Sequence, residues 1–157
     1  MKNKTCFLIG HEKIPDIQYM DIVLRLEDEL TKLAESGVTH FAVGNAAGFD
    51  TLAALTVLEL QEKYPQVRLT LVLPFKERTD TREEYGVYAD DYILEEVVYT
   101  SESHHPDCMM KRNRYLADTN DICVCYLTKS RGGTACTVDY ARKKGLEIIN
   151  LSGSMSC

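Results

Sequence analysis

"AVGNAAGFDTLAA", residues 42 to 54, leaves an apolar run, passes two glycines and enters a helical pattern. Such a turn either cradles a phosphate or is the tightest way to join a strand to a helix. Glycines let backbone N–H groups approach an anion closely, and the first turn of a helix adds partial positive charge. Gly44 closes the strand, Gly48 stands at the helix entrance, and Asp50 and Thr51 fall in the first turn. Asp50 either caps that helix or accepts hydrogen bonds from ribose hydroxyls.

Outward from this turn, apolar strand-like runs alternate with helical patterns. The runs lie at 5–10, 39–44, 67–75, 96–101, 121–127 and 147–151. That rhythm predicts βαβ units and an α/β fold, a Rossmann-like three-layer sandwich with a mainly parallel sheet. The first helix is expected to enter at Pro15 and Asp16, to carry Met20, Val23, Leu26 or Glu27, Leu30 and Leu33 along one side, and to stop at Gly37. Thr81 and Glu84 form a capping-box pattern for a third helix, Pro106 and Asp107 open a fourth, and Gly145 ends a fifth. With 157 residues, 45% of them hydrophobic, a single domain over 1–157 is expected.

No apolar run approaches the roughly 18 residues of a membrane span, so no membrane association and a cytoplasmic location are expected. The six cysteines lack a Cys-x-x-Cys pair and mostly lie in apolar runs, which predicts reduced, buried thiols, no metal and no cofactor. A formal net charge of −6 argues against a surface built to coat nucleic acid. A small anionic ligand needs only local positive potential.

"SRGGTACT" repeats the glycine-turn chemistry: Gly132 and Gly133 link the fifth strand to a helix starting near Thr134. Two such turns at strand carboxyl ends would converge on the crevice where open α/β sheets bind ligands. In "CMMKRNRYLAD", a helical phase of 100° per residue sets Met109, Leu116 and Ala117 inward together with Arg112 and Asn113. An inward Arg needs a partner, because an unpaired buried charge is very costly. Either a carboxylate inside the protein supplies it or an anionic ligand does, and the nearby "RGGT" turn favours the ligand.

These residues resemble the SLOG superfamily of Rossmann-like proteins, in its YpsA-like bacterial branch. The resemblance runs over nearly the whole chain, through "TCFLIGH", "GNAAGFD", "LTLVLPF", "MKRNRYLADTNDICVCY" and "GGT". It implies a site for a nucleotide or nucleotide derivative lined by Gly10, His11, Gly44, Asn45, Gly48, Asp50, Arg112, Asn113, Gly132, Gly133 and Thr134. Two departures stand out. Glu12 follows "GH" where relatives often carry Arg, so one phosphate contact becomes repulsive unless Lys13 substitutes. The superfamily's catalytic phosphoribohydrolases look like "PGGxGTxxE" preceded by "RK", whereas this chain has Ala135, Cys136 and Asp139 in the later positions and Arg112 with Asn113 for the pair. Helical phase also turns Asp139 away from Thr134, Val138 and Ala141.

The leading expectation is therefore a binding module, a cytoplasmic sensor or scaffold that recognises a nucleotide-derived signal and passes occupancy to a protein partner. The alternative is an N-glycosidase acting on nucleoside monophosphates, with Arg112 on phosphate and Asp50 or Asp139 assisting. A third is a DNA-processing-type nucleic-acid module, which conflicts with the charge. His104 and His105 lie in a polar loop without a nucleophile, and the tyrosines are too scattered for a base-stacking platform. The helix from Leu52 to Lys63 is apolar nearly all round, with only Thr56, Glu59 and Lys63 as a polar stripe. Such a helix buries more than one face, which predicts a homodimer unless the first helix covers it.

Overall fold

Both faces of the sheet are covered by helices, which explains why its strands read as near-continuous apolar runs. The computed structural model describes residues 4–44, 48–76 and 94–152, the side chains of 94–96 excepted. The strands are β1 (Lys4–Gly10), β2 (Val38–Val43), β3 (Arg68–Leu73), β4 (Leu94–Tyr99), β5 (Ile122–Tyr126) and β6 (Glu147–Asn150). The described helices are α1 (Asp16–Glu35), α2 (Phe49–Lys63), α3 (Cys108–Asp118) and α4 (Gly133–Lys143). The expected Thr81–Glu84 capping box, Asn45 and Cys157 lie outside the described residues.

The sheet runs β4-β3-β2-β1-β5-β6 and every adjacent pair is parallel. Side chains alternate across it. Cys6, Leu8, Phe41, Val43, Leu69, Leu71 and Val124 face α1 and α2. Phe7, Ile9, Ala42, Val72, Cys123 and Cys125 face α3 and α4. From β1 to β3 the chain steps one way, and from β5 to β6 the other. Right-handed crossovers then set α1 and α2 on one face and α4 on the opposite face.

Two helix faces depart from the sequence expectation. On α1 the buried side is Ile22, Leu26, Leu30, Leu33 and Ala34, while Met20 is exposed. On α3, Cys108 is buried and Met109 is exposed, although Arg112, Asn113, Leu116 and Ala117 point inward as expected. The apolar circumference of α2 is accounted for within one chain. Ala53, Ala54, Val57 and Leu58 are buried in the core shared with α1, and Leu52 and Leu55 pack against it. The unsatisfied α2 face that motivated a homodimer is thus absent.

Candidate functional site

Strand order reverses at β1. The chain leaves it towards β2 and returns through α3 to β5 on its other side. Because α1 and α4 lie on opposite faces, the loops following β1 and β5 diverge, the arrangement that opens a ligand crevice at strand carboxyl ends. A cavity of about 670 Å³ lies there, lined on one side by the segment from His11 to Asp16 with Gln18, and on the other by Tyr126, Thr128 and Lys129. Lys13 and Lys129 bring positive charge to it, Glu12 and Asp16 negative charge, and Ile14 and Pro15 an apolar wall. A second cavity of about 330 Å³, bordered by Lys129, Cys136 and Arg142, flanks the start of α4.

The two walls of the larger cleft are tied together. The Thr128 N–H donates to His11 Nε2 at 2.9 Å, so that nitrogen carries no proton and the neutral ring holds its hydrogen on Nδ1. Desolvation, and secondarily the charge of Lys129, push the His11 pKa below its ordinary value. Tyr126 lies edge-on to His11 at 5.7 Å and stacks on Phe49, while its hydroxyl donates to Gln18 Oε1 at 3.0 Å. The cleft floor is thereby built on a rigid aromatic set.

The glycines of the first turn answer to packing. A Cβ on Gly10 would lie 2.7 Å from Phe49 Cβ, among the ring atoms. Gly48 has φ +77°, and a Cβ there would run into the backbone of Glu12. The Phe49 N–H donates to the His11 carbonyl at 3.2 Å, so this turn is sewn onto the loop after β1. At Gly44 a Cβ would collide with the Arg112 guanidinium, whose Cζ lies 2.8 Å away, and would lie 3.1 Å from Asp50 Oδ2.

Arg112 is 5% exposed. Its Nε donates to Asn113 Oδ1 at 2.8 Å and one terminal nitrogen donates to the Val72 carbonyl at 3.3 Å. Asp50, 3% exposed, brings its carboxylate to the same point above Gly44. The helix cap ahead of it is Gly48, so Asp50 does not cap α2. Guanidinium and carboxylate together form a buried polar cluster beneath the ends of β2 and β3.

The second glycine turn is open. Among the described residues nothing lies within 4 Å of a Cβ at Gly132, whose φ is +105°, and at Gly133 the nearest atom is Asn113 Nδ2 at 4.0 Å. Gly132 caps α4, with Thr134 in its first turn. Of the described residues expected to line the site, His11 alone borders the large cleft. Gly10 and Gly48 pack the turn before α2 against β1 and its loop, Gly44, Asp50 and Arg112 cluster at the ends of β2 and β3, and Asn113 links Arg112 to the α4 entrance formed by Gly132, Gly133 and Thr134. Lys13 was expected only as a substitute phosphate contact beside Glu12, and Gln18 and Lys129 were not anticipated, because no motif marks them. The strand order alone brings them together.

Asp139, the fallback carboxylate for glycosidic chemistry, is exposed and pairs with Lys143 at 3.0 Å. Among the described residues no group of three or more His, Cys, Asp or Glu side chains is arranged to hold a metal. Cys6, Cys108, Cys123 and Cys125 are free and buried, whereas Cys136 is free and exposed. No helix among the described residues is long and apolar enough to cross a membrane.

By fold, the chain is similar to DNA processing protein A of Helicobacter pylori, at a TM-score of 0.65 and 14% identity over 97% of this chain and 71% of that one. It is similar to the DNA processing protein A of Streptococcus pneumoniae at a TM-score of 0.67 and 15% identity, over 93% of this chain and 49% of that one. The former is described as binding single-stranded DNA, so these neighbours lend no support to the charge-based expectation against nucleic acid. In sequence, the chain is 27% identical over 143 residues to the SPbeta prophage-derived protein YoqJ of Bacillus subtilis, covering 77% of this chain and 82% of that one. A UPF0398 protein of Bacillus cereus is 27% identical over 137 residues, covering 80% of this chain and 71% of the relative. The YpsA model, described as the YspA SLOG family, matches residues 6–148, and the chain belongs to that family.

Proposed function

We propose that this chain binds a nucleotide or nucleotide-derived ligand in the cleft between the loops that follow β1 and β5, and acts as a cytoplasmic sensor or scaffold. The observation that carries this is the position of the 670 Å³ cavity at the strand-order reversal. Such crevices receive ligands in open α/β sheets, and the volume is within the usual range for small-molecule sites. Lys129 and the open α4 entrance attract phosphate, while Ile14, Pro15 and the His11 ring offer an apolar wall to a base. The two lysines are offset by Glu12 and Asp16, which favours a ligand of low charge over a triphosphate. The exposed, Lys-paired Asp139 and the buried Asp50 disfavour hydrolysis.

A thermal-shift screen of the full chain against nucleoside mono-, di- and triphosphates, ADP-ribose and cyclic dinucleotides tests this. A ligand at 100 times its Kd stabilises the folded state by about 2.7 kcal/mol. Assaying free base in the same mixtures separates binding from hydrolysis.

A second reading, DNA handling, draws on the fold shared with the two DNA processing proteins. It expects binding of single-stranded oligonucleotides that weakens steeply with salt. Binding of this kind with no response to any nucleotide would favour it.

A further inference from the structure

The largest exposed apolar side chains among the described residues cluster on α1. Ile17 is 92% exposed, Met20 62% and Leu24 58%. They recur at spacings of three and four, and the same progression continues through Glu27 to Thr31. Glu27 and Thr31 border a groove of about 250 Å³ between α1 and α2, with Thr56, Glu59 and Lys63 on its other side. An alternating three-four spacing is the seam that a second helix packs against. This seam is distinct from the buried side of α1, so the helix carries two apolar faces and the domain uses one.

The charges beside the seam define its occupant. With Ile17 and Leu24 as one core position and Met20 as the other, one flank holds Asp21 and Asp28, the other holds Asp16 and Val23 before turning into the core at the buried Leu30, and Glu27 continues the seam itself. A second copy of α1 would set Asp16 against Asp21 when packed parallel, where opposite flanks meet, and the Asp21 and Asp28 flank against its own copy when packed antiparallel. Two of these carboxylates already have partners on the same helix, Asp21 with Arg25 at 2.8 Å and Asp28 with Lys32 at 3.0 Å. Those pairs are solvent-exposed and worth little, so exchanging them for a partner's cations is cheap.

We infer that the exposed face of α1 docks an amphipathic helix of another protein, with apolar residues at three-four spacing and Lys or Arg on the flanks. The partner's apolar residues cover Ile17, Met20 and Leu24, and its cations meet Asp16, Asp21, Asp28 and Glu27. This inference does not depend on nucleotide binding. The face nevertheless begins beside the cleft, because Asp16 and Gln18 of the first turn of α1 line that cavity.

The test uses the full chain and two fluorescent synthetic peptides of three heptads, with Leu at the core positions and either Lys or Glu at the flanks, held at nanomolar concentration. Anisotropy should show saturable binding of the Lys peptide, weakened by salt, and about tenfold or more weaker binding of the Glu peptide. The double substitution Ile17→Ser/Leu24→Ser should abolish binding while circular dichroism stays unchanged. Asp21→Lys/Asp28→Lys should reverse the preference between peptides. Lys-peptide binding that survives Ile17→Ser/Leu24→Ser would overturn the inference. So would failure of the Lys peptide to bind, or sedimentation showing a dimer of the free chain that this substitution dissociates, which would give the face to a second copy.

Discussion

The Thr128 amide donates a hydrogen bond to His11 Nε2 at 2.9 Å, joining the loop after β1 to the loop after β5 across the cleft. Protonating that nitrogen would remove the acceptor. The His11 pKa is held below its ordinary value by burial and by Lys129, so near that ordinary value the unfolded chain binds more protons than the folded one. Stability should be full above about pH 6.5, fall as the pH drops below it, and level off beneath the folded pKa. In His11→Gln an amide oxygen replaces the acceptor without titrating. Thermal unfolding between pH 7.5 and 5 should show wild type losing more stability than His11→Gln, and parallel curves would refute the latch.

Arg112→Met should destabilise the ligand-free chain by about 3–5 kcal/mol, because it leaves the Asp50 carboxylate buried beside Gly44 without that cation. Adding Asp50→Leu should recover more than half of the loss, since removing both charges is far less costly than removing one. Urea denaturation of the two variants measures it. A loss under about 1 kcal/mol for Arg112→Met would show that the cation is not anchored internally.

Gly48 and Gly132 both have positive φ, yet only Gly48 abuts other backbone. With ψ −118° at Gly48 and −179° at Gly132, both lie in positive-φ backbone that side chains hardly enter, so an Ala at either position costs about 1–3 kcal/mol. At Gly48 the collision with Glu12 adds about 1–3 kcal/mol more. Gly48→Ala should therefore unfold at clearly lower urea than Gly132→Ala. Equal midpoints would contradict the packing described for the first turn.

Thiol labelling should divide the cysteines by burial. Burial raises the Cys6 thiol pKa, and a hydrogen bond with Cys125 followed by burial raises that of Cys123, so neither yields thiolate near neutral pH. In a Cys157→Ser background, native labelling with a thiol reagent should modify Cys136 and spare the buried four until denaturant is added. Rapid native labelling of Cys6 or Cys123 would contradict the assigned core.

The strands were legible because both sheet faces are buried, which writes each strand as an apolar run bounded by turn residues. Helix faces were less so. α1 carries apolar residues on two sides, so periodicity could not decide that Met20 faces solvent while Ile22 faces the sheet. On α3, three turns fix the phase only to within a residue, which placed Met109 inward in place of Cys108 although Arg112 and Asn113 came out correctly. Gly48 looked the same as a phosphate cradle and as a connector, because what constrains it is the Glu12 backbone, far away in sequence. Lys13 was legible from its place after the "GH" stretch, but Gln18 and Lys129 carry no local signature, and only the β1–β5 adjacency brings Lys129 to the other two.

Calorimetric titration of the full chain with a nucleoside monophosphate and with ADP-ribose, in wild type and in Lys129→Ala, tests the nucleotide cleft most directly. Lys129 is exposed and borders the cavity, so its truncation leaves the fold intact. The account predicts one-site binding of at least one of these ligands, weakened about tenfold by Lys129→Ala and unaffected by Lys143→Ala. No binding by wild type at millimolar ligand, or equal affinity in Lys129→Ala, would contradict it.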